Sequence, residues 1–567
     1  MGAGKSLIDF NEHATKFDDR TTMIVPAIDI DEVPTNVHLP IIFNSSQSIY
    51  SDVIGGLPIE EQATWIMPAL PGGTLLAPGS GSEVKSSDTE NYASYLRHLI
   101  KSSGIYVLSS LASPLVSLVL APFLTGHLSH NDYGVLAVLN TTIALLAGIT
   151  QLGLSSAFFR SYNYDYESRK DRNAVLSTVV ILLLLFSVPT ALLFVATASW
   201  LSFLLFNSPA LDASLKLTGL IILLQNLTVP GFAWLRAENR AFQFSLLSIV
   251  NLLVSLAANI VLIGGLHEGI VGSLIATTLG YASVVLCTLP VIVFRAGLHL
   301  RFDVAKGLLS FGLPNVSNFI SAWVLQLSDR LLLGRLGSLS ETASYAVAYS
   351  LGGIVSVVVL SPFALAWPSA MYNIGRKENA AQIFRLIFRW YGIVLLVATY
   401  ILSLMSIFVL YVFFPPAYHV AAPIIPIIAL STMFYGTYNM FTTGIALKRK
   451  TWFAALFTTI AALVNIGCNL ILIPLYGSMG AALSTLFAYA LLACIAYVVN
   501  RRIYPVPYEI GFFIFMLGVG VTLYIASNFF VRGMGEYLAW SILIGVWLCY
   551  AASLAIAGKW LPGYQKR

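Results

Sequence analysis

From residue 104 onward the chain is a succession of apolar runs of about 20 residues, the length a helix needs to cross a bilayer. Lipid offers backbone amides no partner, so each run must satisfy its own, and a helix does this. Fourteen runs can be read, at roughly 104–125, 133–158, 174–200, 214–234, 242–263, 269–294, 307–333, 343–367, 384–412, 423–446, 452–473, 479–499, 510–530 and 537–557. The connections are mostly short, which leaves no room for a soluble domain among them. Charged residues are 10% of the 567 positions, against about a quarter in soluble domains. The expected fold class is therefore an all-α integral membrane protein of about 14 transmembrane helices.

What precedes the runs is a different kind of sequence. Residues 1–90 hold 4 Lys/Arg against 13 Asp/Glu and end in the Pro/Gly/Ser-rich PALPGGTLLAPGSGSEVKSSD, so 1–100 is expected to be an acidic, largely disordered tail and linker. Gly4-Lys5-Ser6 imitates the end of a phosphate loop without its first glycine, Met1-Gly2 with Ser6 fits a myristoylation pattern, and Asp29 and Asp31 form a lone acid pair. No strand precedes the first, the second matters only in a eukaryotic host, and the acid pair is read as part of a solvated run. No cleavable signal peptide is expected, because the first long apolar run begins only near residue 104. Cys287, Cys468, Cys494 and Cys549 lie singly in apolar runs, and His127 and His130 are the closest histidine pair, with no HExxH. Neither a disulfide, a metal site, a cofactor nor a nucleic-acid partner is expected.

Basic residues set the orientation. With the amino terminus in the cytoplasm, 27 of the 31 Lys/Arg fall in inner segments, and only Lys216, Arg330, Arg335 and Arg532 lie outside or near the outer end. Such a bias in short loops predicts a multi-pass membrane protein with both termini cytoplasmic.

The chain also repeats. Tyr133-Gly-Val-Leu-Ala-Val recurs as Tyr345-Ala-Val-Ala-Tyr-Ser, Tyr162-Asn163 as Tyr372-Asn373, and Arg240-Ala-Phe242 as Lys450-Thr-Trp452. Asn259-Ile-Val-Leu-Ile with Gly269, Gly272 and Thr277 recurs as Asn469-Leu-Ile-Leu-Ile with Gly477, Gly480 and Thr485. An offset near 210 spans six helices, so the copies share an orientation: two parallel-repeat six-helix lobes at 101–300 and 301–500, with 501–567 adding helices 13 and 14. Like-oriented halves imply a substrate site between them and alternating access by rocking. Asn259 and Asn469 are read as helix-packing residues.

One run is too polar for a lipid-facing helix. In the seventh, Asn315, Asn318, Ala322, Gln326 and Asp329 fall three or four apart and so share one stripe, followed by Arg330. Such groups at membrane depth predict a hydrated cavity. The alternative is amides acting as interhelical glue, with Asp329 and Arg330 marking the helix end. Pro114 and Pro314 open the two halves and are gating candidates, since proline removes a backbone donor and bends a helix.

The opening SGIYVLSSLASPLVSLVLAPFLTGHLSHNDYGVLAVLNT, the second-run ending GLSSAFFRSY, and FGLPNVSNFISAWVLQLSDRLLLGRLG followed by SYAVAYSLG resemble a known group. It is the polysaccharide-export branch of the multidrug/oligosaccharidyl-lipid/polysaccharide (MOP) flippase superfamily, and within it the Wzx-type oligosaccharide-lipid flippases. The resemblance covers about 100–500. It implies a V-shaped transporter, not an enzyme, that moves a polyprenyl-pyrophosphate-linked glycan to the outer leaflet for O-antigen, capsule or exopolysaccharide synthesis. The lipid-linked glycan and membrane lipids are the implied partners and the cell (plasma or inner) membrane the implied location, with H+ or Na+ coupling left open; docking with glycan-assembly enzymes is read from the charge and expected flexibility of the acidic tail. On this reading Arg160 and Arg330 are the candidates for the anionic head group, since arginine presents a fork of donors to phosphate oxygens; for Arg160 the alternative is an ordinary positive-inside anchor. Asn315, Asn318 and Gln326 meet sugar hydroxyls, and Asp329 pairs with a cation or carries a coupling proton. The lipid II flippase branch is less well matched, because the first run has no basic residue between Lys101 and His127. An ion-coupled multidrug antiporter and a membrane enzyme of glycan assembly are the alternatives; the first usually has acids in its amino-terminal lobe, the second a large outer loop.

Overall fold

The computed structural model describes residues 119–530 and 534–560. The segment 1–100, Pro114 and most of the first apolar run lie outside the described residues, and helix is seen from 119 to 127. Next come α1 (His130–Thr150) and α2 (Leu154–Arg160), which ends in a π turn at Ser161–Asp165. α3 (Arg169–Ala196), α4 (Ala198–Phe206) and α5 (Asp212–Ala237) follow, then α6 (Ala241–Asn259), which runs through a π turn to α7 (Gly269–Ala296). These form the first half. The second holds α8 (Phe302–Leu336), α9 (Leu339–Gly352), α10 (Ser361–Gly375), α11 (Ala380–Phe413), α12 (Ile425–Phe441), the short α13 (Thr443–Leu447) and α14 (Trp452–Ile503). α15 (Ile510–Phe530) and α16 (Glu536–Trp560) end the described chain. No strand occurs among the described residues.

Among the described residues, eleven segments are long and apolar enough to cross a membrane. α14 contains two of the expected spans, divided at Gly477, whose φ of 57° and ψ of −133° belong to no helix. α12 is a shorter helix of 17 residues. Every expected run from 133–158 onward coincides with helix. The first, 104–125, lies largely outside the described residues.

Packing follows the two halves, all within one compact unit. In the first, α5 packs between α3 and α7, α6 lies on α7 and α1 on α5; in the second, α14 packs on α8 and α12, and α11 on α12. α15 and α16 lie against α11, and the halves meet where α1 touches α8 and α9 and where α2 touches α8. The repeat is visible in the backbone. Asn239 and Arg449 take left-handed φ of 57° and 56°, and Gly269 and Gly477 take 58° and 57°.

Lipid is as apolar as leucine, so large side chains such as Phe242 and Phe294 remain on the outer surface, and close packing with polar contacts holds the interior. The interior contacts are specific. Asn226 on α5 donates to Thr150 Oγ1 (2.6 Å) and Ser187 Oγ (2.7 Å) and accepts from Gln151 Nε2 (3.2 Å).

Those bonds hold a break in the second span. Between α1 and α2, Leu152 and Gly153 take φ of 52° and 66°, and for leucine the left-handed region costs about 1–2 kcal/mol. The break lies against α8, where a Cβ on Gly312 would sit 2.3 Å from the Leu152 carbonyl oxygen, and one on Gly153 2.3 Å from that of Gly312. Here two backbones touch with no side chain between them. Gly312→Ala is expected to lower stability by about 1–3 kcal/mol, the usual cost of overpacking, seen as a lower Tm in detergent. Gly307→Ala, on the same helix but with open space around it, should show no loss.

Candidate functional site

Asp329 and Arg389 are the charged side chains buried among the described residues, at 0% and 4% exposure. Each must have partners, because an uncompensated charge away from water is expensive. Asp329 has three donors. Tyr345 Oη donates to Oδ2 at 2.7 Å, Thr485 Oγ1 to Oδ2 at 2.5 Å, and Asn469 Nδ2 to Oδ1 at 2.7 Å. Tyr345 comes from α9, while Asn469 and Thr485 come from the two limbs of α14 on either side of Gly477. The limbs are pressed together, since a Cβ on Gly480 would lie 2.1 Å from the Leu472 carbonyl oxygen. Asn469 Nδ2 also donates to Asn465 Oδ1 at 3.1 Å, and Ser328 Oγ lies 3.5 Å from the same oxygen. Asn469 Oδ1 and Asn465 Nδ2 have no partner. The cluster is rich in oxygens around one carboxylate: Asn465 Oδ1 already faces it, and turning over the Asn469 amide would add a further acceptor. Such a set can take a proton, or a hard cation that prefers oxygen ligands.

Arg330 points elsewhere. Its guanidinium lies 4.7 Å from the centroid of the Tyr349 ring, a cation–π contact, and Tyr349 is hydrogen bonded to Tyr489. Tyr489 leads on to Tyr435 at 5.3 Å and Tyr435 to Tyr438 at 5.9 Å between ring centroids. Asn315, Asn318 and Gln326 are half-buried along α8, and Ala322 is buried. The stripe is thus divided: Asp329 turns into the second half, whereas the amides keep partial exposure. On its other side α8 meets α1, where Trp323 Nε1 donates to the Thr141 carbonyl at 3.3 Å.

Arg160 sits at the end of α2, half-exposed, 3.7 Å from Asp165 and 4.9 Å from the centroid of the Phe311 ring on α8. From Phe311 to Arg330, α8 rises about 28 Å. The two arginines therefore cannot hold one head group together; they stand at separate levels of the seam between the halves. Further arginines stack on rings at the Arg160 end, Arg236 on Phe159 at 5.0 Å, and Arg240 and Arg295 on Trp234 at 5.2 Å each. Glu238 accepts there from Tyr162 (2.5 Å) and Arg295 (2.9 Å). Burial opposes its charge, but these contacts prevail and hold its carboxyl below the ordinary value.

Pro314 lies within α8 on an exposed face, and helix continues through it. Prolines also sit inside α3, α5, α7, α10 and α14, so a proline by itself does not single out a gate.

Several residues of these clusters were not legible as site residues in the sequence. Tyr345, Asn469 and Thr485 belonged to the repeated motifs, and their recurrence was the available signal; Asn469, read as a packing residue, bonds Asp329 directly. Arg385 and Arg389 counted only as inner-loop charges. In the fold they close on Glu509 just before α15, with Arg385 Nε at 2.7 Å and Arg389 Nε at 2.6 Å, and Arg389 Nη2 also bonded to it.

A family model described as polysaccharide biosynthesis protein matches residues 119–414. Curated proteins give no match. Among solved structures, lipid II flippase MurJ in its inward closed conformation superposes with a TM-score of 0.57 at 18% identity, over 79% of this chain and 98% of that one. An inward-facing multidrug resistance MATE family transporter of the MOP superfamily gives 0.53 at 15%, over 70% and 97%. MATE in the straight conformation gives 0.50 at 17%, over 71% and 95%. At these identities the likeness is one of fold.

Proposed function

The chain belongs to the polysaccharide biosynthesis protein family and has the fold of the MOP flippases, and from that premise we propose that it flips a polyprenyl-pyrophosphate-linked oligosaccharide from the inner to the outer leaflet by alternating access. The observation that supports this reading is the seam where α8 meets α1 and α2, with Arg160 beside Phe311 at one level and Arg330 stacked on Tyr349 at another. A lipid-linked glycan has three parts with three needs. The pyrophosphate needs arginine forks, the sugars need amides and flat rings, and the polyprenyl chain can stay in lipid. Arg160 is the first station, at the cytoplasmic end given by the positive-inside bias. Arg330 is the second, and Asn315, Asn318 and Gln326 with Tyr349 line the way between. Rocking about the close contact of Gly153 and Gly312 carries the head group from one level to the other, with Pro314 allowing α8 to bend. Asp329 couples the motion to H+ or Na+, because it ties α8 to α9 and both limbs of α14 through one carboxylate.

The test is to delete the gene in its host and label lipid-linked sugars with a membrane-impermeant reagent on whole and opened cells. Accumulated glycan that is shielded in whole cells and labelled in opened ones supports the reading. Normal surface glycan together with a new sensitivity to cationic drugs would transfer the protein to drug export. In reconstituted vesicles, Arg160→Gln should raise the substrate concentration for half-maximal flux about tenfold, the worth of one charge-assisted hydrogen bond.

A further inference from the structure

The halves also meet at the end of the bundle opposite Arg160, and the flux path above does not use that contact. His130, the first residue of α1, has both ring nitrogens engaged by hydroxyls of the second half. Its Nε2 lies 3.0 Å from Ser344 Oγ and its Nδ1 3.1 Å from Ser340 Oγ. The two serines are four residues apart on α9, so one helical turn presents both hydroxyls to the same ring. The imidazole rests on Tyr418 at 4.4 Å between centroids, and Tyr418 meets Tyr133, also of α1, at 5.9 Å. One turn along α1, a Cβ on Gly134 would lie 1.9 Å from the Leu339 carbonyl oxygen, so the two helices touch backbone to backbone beside the ring. Arg335 donates to Asn207 Oδ1 across the same end.

We infer that His130 is the latch of the outer gate, closing the face on which the glycan is released through Ser340 and Ser344. The inference rests on the transport reading and adds to it the residue that must let go for outward opening. Its chemistry suits a contact remade in every cycle. Serine hydroxyls both donate and accept, so the ring keeps both partners in either tautomer. Two neutral hydrogen bonds are enough to bias a two-state equilibrium and too weak to lock it. The contact of Gly153 with Gly312 has no polar side chain to release, so it can persist as a pivot while the latch opens.

The test uses the full chain in lipid vesicles, with its four native cysteines replaced by serine and spin labels at Asn131→Cys and Ala417→Cys. Both are exposed residues flanking the contact. The parent should show mainly one short distance. His130→Ala should enlarge a longer-distance population roughly tenfold, the effect of losing two interface hydrogen bonds. His130→Gln, whose amide donates and accepts, should stay near the parent. Ser340→Ala with Ser344→Ala removes the same bonds from the other side, and gives the answer if His130→Ala does not fold. Unchanged distances in both would overturn the latch. The distances are read without substrate, so that failure leaves the glycan reading standing, whereas a working latch in a protein that carries no glycan would sink the glycan reading alone.

Discussion

Asp329→Asn is expected to fold and insert normally yet lose flux by roughly two orders of magnitude, about 2.7 kcal/mol of barrier. The substitution keeps the shape of the carboxylate and removes its charge. Its new amide NH2 would face Asn469, whose Oδ1 has no partner, and turning over the Asn469 and Asn465 amides together restores that bond and keeps the one between the two amides, since Asn465 Nδ2 is also without a partner. Tyr345 and Thr485 can still donate to the remaining oxygen. Structure is thus spared and only the response to a proton or cation is lost. Flux through the Asn variant, compared with its Tm, separates the roles. A large loss of flux with an unchanged Tm supports coupling, and normal flux would reduce Asp329 to an interhelical tie. Asp329→Ala does not separate them, since it removes the acceptor that three buried donors share.

Glu509→Gln is expected to destabilise the protein by about 3–5 kcal/mol, the cost of breaking a buried ion pair. Arg389 has a side chain only 2% exposed, so without the carboxylate its charge loses the counter-ion bonded to it and gains little water in exchange. Arg385, 38% exposed, can turn to water and contributes little. The loss should appear first in α15 and α16, as faster hydrogen exchange, because Glu509 ties them to α11. Acid should act in the same direction. Burial opposes the Glu509 charge, but the bonds from Arg389 and Arg385 outweigh it and hold the carboxyl below its ordinary 4.5. A lowered folded value means that the contribution is full above the ordinary range and disappears as pH falls through the lowered one. The Tm should therefore be flat near neutrality and fall below about pH 4, and in Glu509→Gln that part of the acid loss should be missing. An equal acid loss in both would refute the assignment.

How much of this was legible in the sequence depended on range. Run length and composition are local, and a bilayer accepts one backbone solution for a 20-residue apolar run, so the membrane class and the places of the helices from residue 133 onward could be read directly. The repeat was legible too, and its offset reappears in the matching left-handed φ of Asn239 with Arg449 and Gly269 with Gly477. The polar stripe of α8 was seen as one face, but not that Asp329 would turn away from its neighbours.

That turn depends on Tyr345, Asn469 and Thr485, the latter two 140 and 156 residues further along the chain, and no local pattern specifies which buried donors meet a buried carboxylate. The break at Leu152 was equally hidden, because a leucine in left-handed backbone contradicts its own preference and is held there by bonds to Asn226 and contact with Gly312. By itself the sequence determined that this chain spans a membrane as a duplicated helical transporter, since burial in lipid is decided run by run. Only the tertiary structure decided which charges are paired, where the halves touch and which histidine closes the far end, since each of those needs two distant segments brought within bonding distance.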